Sequence, residues 1–410
     1  MTSAAFSLLG HAAGNREKWL TRFYSVGKEA VRPRKDGELQ GFLLTPSRGM
    51  LRLLELEEIL DRADVEFQKI DNGEKLGRST FVPMNQPYGA FAKAMLETQT
   101  YPDLKDASGN PVSPYDVTAH TLPLLLGVEA RPVFKKQSYK RITQEPGLLG
   151  PPVAECSDVR NYWIYRSSNA SMDEGWTRWT LENYKHLIRT ERSSTDTKHN
   201  FEQLTDATIR KGGLQWSKVI IFPDQSPNQI LNGYTKGSMP EEFTGGIGTE
   251  GVEQLTKFVD AGGTIVFLNR ASDFAIRQFG LPVKDVTEGV GRKDFFIPGS
   301  ILRIEIDTSH SIGRTMPPQS MAWFEDSPAF EITTDPLALT NNFKVIARYP
   351  SDPKEILLSG WALGTERIAG KAALVEFTVG KGSIVLFGFR PQYRGQSLAT
   401  FPLFFNAIAR

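Results

Sequence analysis

The sequence predicts an α/β protein. Its larger part is expected to form a doubly wound, mostly parallel sheet, with a second, smaller α/β domain and a β-rich carboxyl-terminal extension. Short apolar runs alternate with segments of helical spacing, which is typical of layered α/β folds. The connections between these runs are short, as between neighbouring elements of one sheet. The chain of 410 residues exceeds one typical core, so about two or three domains are expected.

The first half of the chain predicts a short linker and a small α/β domain. Residues 15–31 carry apolar groups at helical spacing, so we expect the linker, residues 1–35, to contain a helix with an exposed aromatic surface. The small domain, residues 36–150, is then expected to contain strands at 41–44, 65–70 and 80–82 and helices at 50–63 and 88–98. A Pro- and Gly-rich stretch at 145–156 marks the predicted boundary.

The second half, residues 157–410, predicts the large α/β domain. Apolar runs followed by amphipathic segments predict strands at 162–166, 201–204, 219–222 and 264–268 and helices at 175–187, 252–259 and 273–279. From residue 295 the pattern becomes β-rich, with strands expected at 300–306, 343–349, 372–378 and 383–389 and a final helix at 397–409. We expect these last strands to extend the sheet or to cover one edge of it.

Composition excludes several classes of function. Lys plus Arg number 48 and Asp plus Glu 47, so the net charge of +1 does not favour a nucleic-acid partner. The single cysteine, Cys156, excludes an internal disulfide and a zinc site built from several cysteines. No apolar run approaches the roughly 18 residues that span a bilayer, and the amino terminus does not resemble a signal peptide.

Polar residues follow the apolar runs of the large domain. In open α/β sheets ligands bind beyond the carboxyl ends of the strands. This places Asp224, Gln225, Arg270 and Ser272 in the predicted crevice.

Arg390, Gln392 and Arg394 follow the last predicted strand. Two guanidinium groups beside an amide are able to hold a carboxylate or a sugar through forked hydrogen bonds. They are equally suited to tying loops to carbonyl groups and to Asp224, so both interpretations stay open.

Four sequence runs resemble one family of large bacterial proteins. They are Ser-Pro-Tyr-Asp-Val-Thr-Ala-His-Thr-Leu-Pro at 113–123, Pro-Asp-Gln-Ser at 223–226, Asn-Arg-Ala-Ser-Asp at 269–273 and Phe-Arg-Pro-Gln-Tyr-Arg-Gly-Gln-Ser at 389–397. They resemble the region downstream of the peptidase domain in zinc carboxypeptidase-like proteins. The later half is similar to the class I glutamine amidotransferase-like domain of those proteins.

The resemblance implies a partner and a role. In that family a zinc-binding carboxypeptidase domain precedes these segments, so zinc is expected there and no cofactor in this chain. The partner would be that peptidase domain, in the same protein or in a neighbouring product. Full-length relatives look exported. The resemblance thus implies a non-catalytic accessory region. The opening helix would then be what remains of the connection to the peptidase domain.

A zinc hydrolase is one alternative. His199 and Glu202 have the spacing of paired zinc ligands, and His310 lies downstream as a third candidate. The stretch around His199 reads as a loop, however, and both histidines fall where the amidotransferase-like domain aligns. Two solvent-facing loop histidines are the favoured interpretation.

Nucleophilic catalysis and phosphate binding are further alternatives. Ser272 lies at a strand-to-helix turn, but the flanking glycines of a nucleophile elbow are missing, so we expect it to be a helix N-cap with Asp273 favourable to the dipole. Residues 246–251 match G-x-G-x-x-G but do not directly follow a strand, which favours a flexible loop with Thr249 as the cap.

Four tryptophans, Trp176, Trp179, Trp323 and Trp361, would suit either a glycan surface or ordinary packing. Beside the accessory role, a module that binds a small polar or cell-wall-derived ligand through Asp224, Arg270, Arg390 and Arg394 therefore remains open.

Overall fold

The computed structural model describes residues 2–47, 50–71, 78–142, 162–184, 202–333 and 342–409. The chain divides into two compact units. The first contains residues 1–97 and 121–150, and the second contains residues 98–120 and 151–410. The sequence predicts one continuous small domain, 36–150, whereas the contacts assign residues 98–120 of that range to the second unit. The predicted boundary at 145–156, with Cys156, lies outside the described residues.

The first unit has an antiparallel sheet with the strand order β4-β1-β3-β2-β5. Its elements are α1 (Thr2–Gly14), α2 (Arg16–Ala30), β1 (Gly41–Pro46), α3 (Met50–Arg62), β2 (Gln68–Asp71), β3 (Ser79–Pro83), α4 (Gly89–Leu96), α5 (Leu122–Leu126), β4 (Val128–Val133) and β5 (Lys140–Arg141). Helix α3 buries Leu53, Leu56 and Leu60, which share one face at helical spacing. The predicted opening helix corresponds to α2, and neither α1 nor α2 has a buried residue.

The second unit is built on a large mixed sheet with the strand order β12-β11-β14-β16-β17-β9-β8-β6-β7. Its elements are β6 (Tyr162–Arg166), α6 (Met172–Asn183), β7 (Glu202–Thr205), α7 (Asp206–Lys211), β8 (Val219–Phe222), α8 (Pro227–Asn232), α9 (Gly248–Asp260), β9 (Thr264–Leu268), α10 (Ala271–Gln278), β10 (Val283–Asp285), β11 (Pro298–Ile306), β12 (Gln319–Glu325), β13 (Phe330–Ile332), β14 (Phe343–Arg348), β15 (Leu357–Ser359), β16 (Ala372–Val379), β17 (Gly382–Phe387) and α11 (Phe401–Ile408).

The strands β7, β6, β8, β9 and β17 are parallel, and the sheet becomes antiparallel from β16 onwards. Every residue of β8 and β9 is buried, as expected for parallel strands covered on both faces. The predicted α/β class is therefore confirmed, with a mostly parallel half. The β-rich segment extends the sheet through its antiparallel strands.

An aromatic stack lies across the parallel strands. Tyr165 on β6 stacks on Phe222 of β8 at a centroid distance of 4.6 Å, and Phe222 stacks on Phe267 of β9 at 4.8 Å. Phe274 of α10 packs against both phenylalanines at about 6 Å. This core fixes the ends of β6, β8 and β9, and therefore the positions of the polar residues that follow them.

Candidate functional site

Polar residues meet where three parallel strands end. Asp224 follows β8, Asn269 and Arg270 follow β9, and Arg390 follows β17. Because β8, β9 and β17 are neighbours in the sheet, their carboxyl ends lie side by side. The structure thus brings together three of the predicted ligand-binding residues.

The carboxylate of Asp224 is the centre of this cluster, and its side chain is 2% exposed. Its Oδ1 accepts hydrogen bonds from Asn269 Nδ2 at 3.1 Å and from the amide and Nε of Arg270 at 3.1 and 3.0 Å. Its Oδ2 accepts from Arg270 Nη2 at 2.8 Å and from Arg390 Nη2 at 2.7 Å. Both carboxylate oxygens are therefore occupied by this chain's own donors.

The charges in the cluster shift one another's pKa. Burial raises the pKa of Asp224, but hydrogen bonds from Arg270 and the charge of Arg390 outweigh burial and leave it lowered. Asp173, which accepts from Arg390 Nε at 3.2 Å, has its pKa raised to about 6 by burial. Burial lowers the pKa of Arg390, but its carboxylate neighbours outweigh burial and leave it raised. The cluster is therefore stable as ion pairs at neutral pH.

The two arginines of the cluster differ in what they offer a ligand. Arg390 is 9% exposed, and its three nitrogens donate to Asp173, to Asp224 and to the carbonyl of Glu325. It therefore serves as a tie between loops, which is the second of the two interpretations open from the sequence. Arg270 is also paired with Asp224, but its side chain is 41% exposed and borders a cavity.

Gln392 and Arg394 also make contacts within the second unit. Gln392 is fully buried, and its Nε2 donates to Thr177 Oγ1 at 2.9 Å. Arg394 forms a bidentate pair with Asp116 at 2.8 and 2.9 Å and lies over the ring of Tyr393. The structure therefore places these two residues outside the Asp224 cluster.

The turn between β9 and α10 corrects the prediction for Ser272. The helix begins at Ala271 with Arg270 in the N-cap position, and no side-chain cap bond is made there. The Ser272 hydroxyl is fully buried and donates to the carbonyl of Phe387 at 3.0 Å. Ser272 is therefore not the helix cap, because the helix starts before it. As a buried donor to a strand carbonyl it is also badly placed to attack a substrate.

Asn269 occupies the strained position of this strand-to-helix turn. Its φ of 53° lies in the left-handed region, which asparagine tolerates better than most residues. In a nucleophile elbow the reactive side chain sits at such a strained strand-to-helix turn. Here the amide of Asn269 donates to Asp224 and to the carbonyl of Asp326, so an unreactive group that ties two loops is at this position.

Two of the three candidate zinc ligands, Glu202 and His310, lie on or after separate strands. His199 lies outside the described residues. Glu202 is in β7, whereas His310 follows β11, and β6, β8, β9, β17, β16 and β14 separate these two strands. At about 4.8 Å per step, the seven steps from β7 to β11 span about 34 Å, too far for one ion. His310 Nε2 instead pairs with Glu376 at 3.0 Å. Among the described residues no group of three or more metal-ligating side chains is found.

The Gly-rich segment 246–251 begins a helix. Helix α9 starts at Gly248 with Ile247 in the N-cap position and no side-chain cap bond, so the expected Thr249 cap was wrong. A Cβ on Gly246 would lie 2.3 Å from the carbonyl oxygen of Ile230, which explains why this position requires glycine. Close backbone packing therefore accounts for this glycine.

The four tryptophans considered for a glycan surface divide into two pairs. Trp323 and Trp361 are buried, and Trp323 stacks on Tyr393 at 3.8 Å. Trp176 and Trp179 on α6 are 36% and 39% exposed and contact each other edge to face. Of these four tryptophans, the two on α6 are the ones that offer open aromatic surface.

The predicted crevice beyond the strand ends includes a cavity between the ends of β6 and β8, which Gln225 lines as expected, but most of its lining residues were not among those predicted. From β6 the chain runs through α6 to β7 on one side, and from β8 it runs through α8 and α9 to β9 on the other. This reversal is the topological switch point at which open α/β sheets bind ligands. The crevice has a volume of about 200 Å³ and is lined by residues 165–171 with Glu174, Pro223 and Gln225.

Two residues that line the crevice each have a buried polar atom without a hydrogen-bond partner among the residues that the structure describes. These atoms are Nδ2 of Asn169 and Oε1 of Glu174. The two residues are only 8% and 9% exposed. Buried polar groups are nearly always paired, so unpaired ones call for an explanation. The polar run Ser167-Ser168-Asn169 directly after β6 was the sequence signal for this crevice.

A second cavity of about 310 Å³ lies beside Arg270 and is lined by Asp273, Asp285 and Asp326 among others. Burial, with the nearby charges of Asp285 and Glu288, raises the pKa of Asp273 to about 8. Oδ1 of Asp273 is buried and has no hydrogen-bond partner within the described part of the chain. The Asp273 carboxyl is therefore protonated in much of the neutral pH range.

No protein-family model matches the sequence, and no curated protein is similar to it. Among solved structures, a ThuA-like protein from Bacteroides uniformis aligns with a TM-score of 0.32 and 13% identity over 60% of this chain and 91% of that one. A GMP synthase component from Thermoplasma acidophilum aligns with a TM-score of 0.33 and 11% identity, over 61% and 94%.

A β-galactosidase from Bacillus circulans sp. alkalophilus aligns with a TM-score of 0.31 and 14% identity, over 60% of this chain and 30% of that one. TM-scores and identities this low assign neither an activity nor a ligand. The resemblance to zinc carboxypeptidase-like proteins, with its accessory role and peptidase partner, stays a prediction.

No described helix combines the length and the apolar character needed to cross a bilayer.

Proposed function

We propose that the second unit is a non-catalytic module that binds a small polar ligand in the crevice between β6 and β8. The observation that carries this proposal is the pair of buried groups without partners among the described residues, Asn169 Nδ2 and Glu174 Oε1. Leaving a buried donor or acceptor unpaired costs about 1–3 kcal/mol. A ligand that pairs with both groups recovers that cost on binding.

The neighbouring elbow supports binding without chemistry. Asn269 holds the strained position, and the Ser272 hydroxyl is buried against a carbonyl group. A serine nucleophile needs an adjacent base and an accessible oxygen. We therefore expect a fluorophosphonate probe to leave Ser272 unlabelled, and labelling at this residue would favour the hydrolase alternative.

A thermal-shift screen of small polar compounds tests the binding proposal. Compounds that raise the melting temperature of the wild-type protein should lose most of that effect in Asn169→Ala and Glu174→Gln. Glu182→Gln is the matched control, because Glu182 lies on the same helix α6 and is exposed. The proposal fails if every compound that stabilises the wild type stabilises both crevice variants equally.

A further inference from the structure

The crevice between β6 and β8 leaves very few groups free for a ligand. Ser171 Oγ donates to the carbonyl of Asp224 at 2.9 Å and accepts from the amide of Glu174 at 3.3 Å. Ser167 Oγ accepts from the amide of Asn169 at 3.1 Å. Gln225 Nε2 donates to the carbonyl of Asn169 at 3.1 Å. These groups build the walls, while Glu174 Oε1 and Asn169 Nδ2 have no such partners among the described residues.

The buried charge at this end of β6 is negative. Asp206, which is 3% exposed, accepts from the Tyr165 hydroxyl at 2.6 Å and from the amide of Ser168 at 2.9 Å, and both donors are neutral. The cation that pairs with Glu174 within the described part of the chain is Arg178, whose Nη2 lies 3.6 Å from Glu174 Oε2, beyond an ordinary hydrogen bond. Arg166 is exposed and donates to Gln203. Arg178 therefore pairs with Glu174 through Oε2, and Oε1 has no donor among the described residues.

We propose that the ligand of this crevice is a small primary amine with a hydrogen-bond acceptor beside its ammonium group. This inference rests on the proposed binding function and names its ligand class. The ammonium group donates to Glu174 Oε1, and the acceptor takes a hydrogen bond from Asn169 Nδ2.

A charged donor is preferred here over a neutral one for a physical reason. A buried carboxylate is costly unless it is paired, and a hydrogen bond from a cation is roughly twice as strong as one between neutral groups. A hydroxyl group would satisfy the geometry but would add no positive charge, so the partly exposed Arg178, 3.6 Å from Oε2, would remain the one cation paired with Glu174 among the described residues. The volume of about 200 Å³ restricts the crevice to small compounds.

The test compares two probes of the same size. 2-Aminoethanol and 1,2-ethanediol differ only in an ammonium group in place of a hydroxyl group. Each is titrated into the full chain while the side-chain amide signals of Asn169 and Gln225 are followed by nuclear magnetic resonance. We expect the amine to bind about tenfold more tightly than the diol in the wild-type protein.

The variants assign this preference to Glu174. In Glu174→Gln the tenfold ratio should fall to about one, whereas in the control Glu182→Gln it should persist. Asn169→Ala should weaken both probes and keep the ratio, which provides an independent readout if Glu174→Gln folds poorly.

The outcomes separate the two proposals. The ligand class is overturned if the diol binds as tightly as the amine, or if the ratio survives in Glu174→Gln, and in both cases the crevice still binds ligands. If neither probe shifts the Asn169 and Gln225 signals, the binding function and the ligand class both fail.

Discussion

Asp224 shows how one buried carboxylate organises the ends of three strands. It accepts from Asn269, Arg270 and Arg390, and Arg390 is itself 9% exposed. Removing one partner of a buried ion pair leaves the other charge uncompensated. Asp224 therefore contributes to stability chiefly because its loss would leave the charges of Arg270 and Arg390 less compensated.

For Asp224→Asn we expect a loss of about 3–5 kcal/mol in the free energy of unfolding, measured by urea denaturation at pH 7. The control is Asp326→Asn, because Asp326 is exposed and its φ of 47° suits asparagine. The control should change stability by less than about 0.5 kcal/mol. Equal effects of the two substitutions would contradict the central role of Asp224.

Unlike Asp224, Asp273 destabilises the folded protein when its carboxyl group is ionised. Its pKa of about 8 in the folded protein lies above the value of about 3.9 in an unfolded chain. The folded state therefore binds the extra proton between these values, and the contribution of Asp273 to stability falls as the pH rises from about 4 to about 8.

Asp273→Asn removes this titration. We expect the variant to be more stable than the wild type by about 1–3 kcal/mol at pH 8, with the difference disappearing near pH 4. Urea denaturation at several pH values measures it. A variant that is less stable than the wild type at pH 8 would show that the Asp273 carboxylate has a partner.

At the scale of elements, the turn from β9 to α10 depends on a left-handed residue. Asn269→Ala and Asn269→Gly both lose the hydrogen bonds to Asp224 and Asp326. Alanine keeps a Cβ in the left-handed conformation without the tolerance that asparagine has for it, whereas glycine removes the Cβ and adopts this conformation freely. Alanine should therefore cost about 1 kcal/mol more than glycine in thermal or urea unfolding. A glycine variant that is less stable than the alanine variant would argue against strain at this turn.

Several elements could be predicted from the sequence because their signals are local. The strands β8 and β9 are unbroken apolar runs, and α3 shows helical spacing. The strand β12 was missed because Gln319–Glu325 shows no clear alternation, and the short strands β10, β13 and β15 are defined by pairing alone. The antiparallel order of the first unit is also non-local, so the run of strands and helices did not reveal it.

The candidate site was predicted only in part, because it too depends on strand order, which is not a local property of the sequence. Placement after a strand located Asp224, Arg270 and Arg390, but their mutual pairing follows from strand order. Of the crevice between β6 and β8 only Gln225 was predicted, because Asn169 and Glu174 become its walls only when β6 lies beside β8.

In the whole molecule, residues 98–120 lie in sequence between the two segments of the first unit, but they belong to the second unit. Thr118 Oγ1 lies 2.7 Å from Ser300 Oγ and 3.0 Å from the carbonyl oxygen of Gly299, and it accepts from the amide of Trp361 at 3.2 Å. This hydroxyl therefore joins the segment to β11 and to the residues that follow β15.

Thr118→Val removes that hydroxyl at nearly constant volume. We expect a loss of about 1–3 kcal/mol and faster hydrogen exchange in β11 and β15. Thr45→Val is the matched control, because Thr45 Oγ1 bonds Ser79 Oγ within the first unit, and it should affect β1 and β3 instead. Unchanged exchange in β11 for Thr118→Val would contradict the assignment of this segment.

A high-resolution crystal structure of the ligand-free protein tests the binding account most directly. We expect ordered water or a small solute within hydrogen-bond distance of Asn169 Nδ2 and Glu174 Oε1, and no side chain of this protein bonded to either atom. A side chain of the chain itself filling the crevice and pairing with both atoms would contradict it.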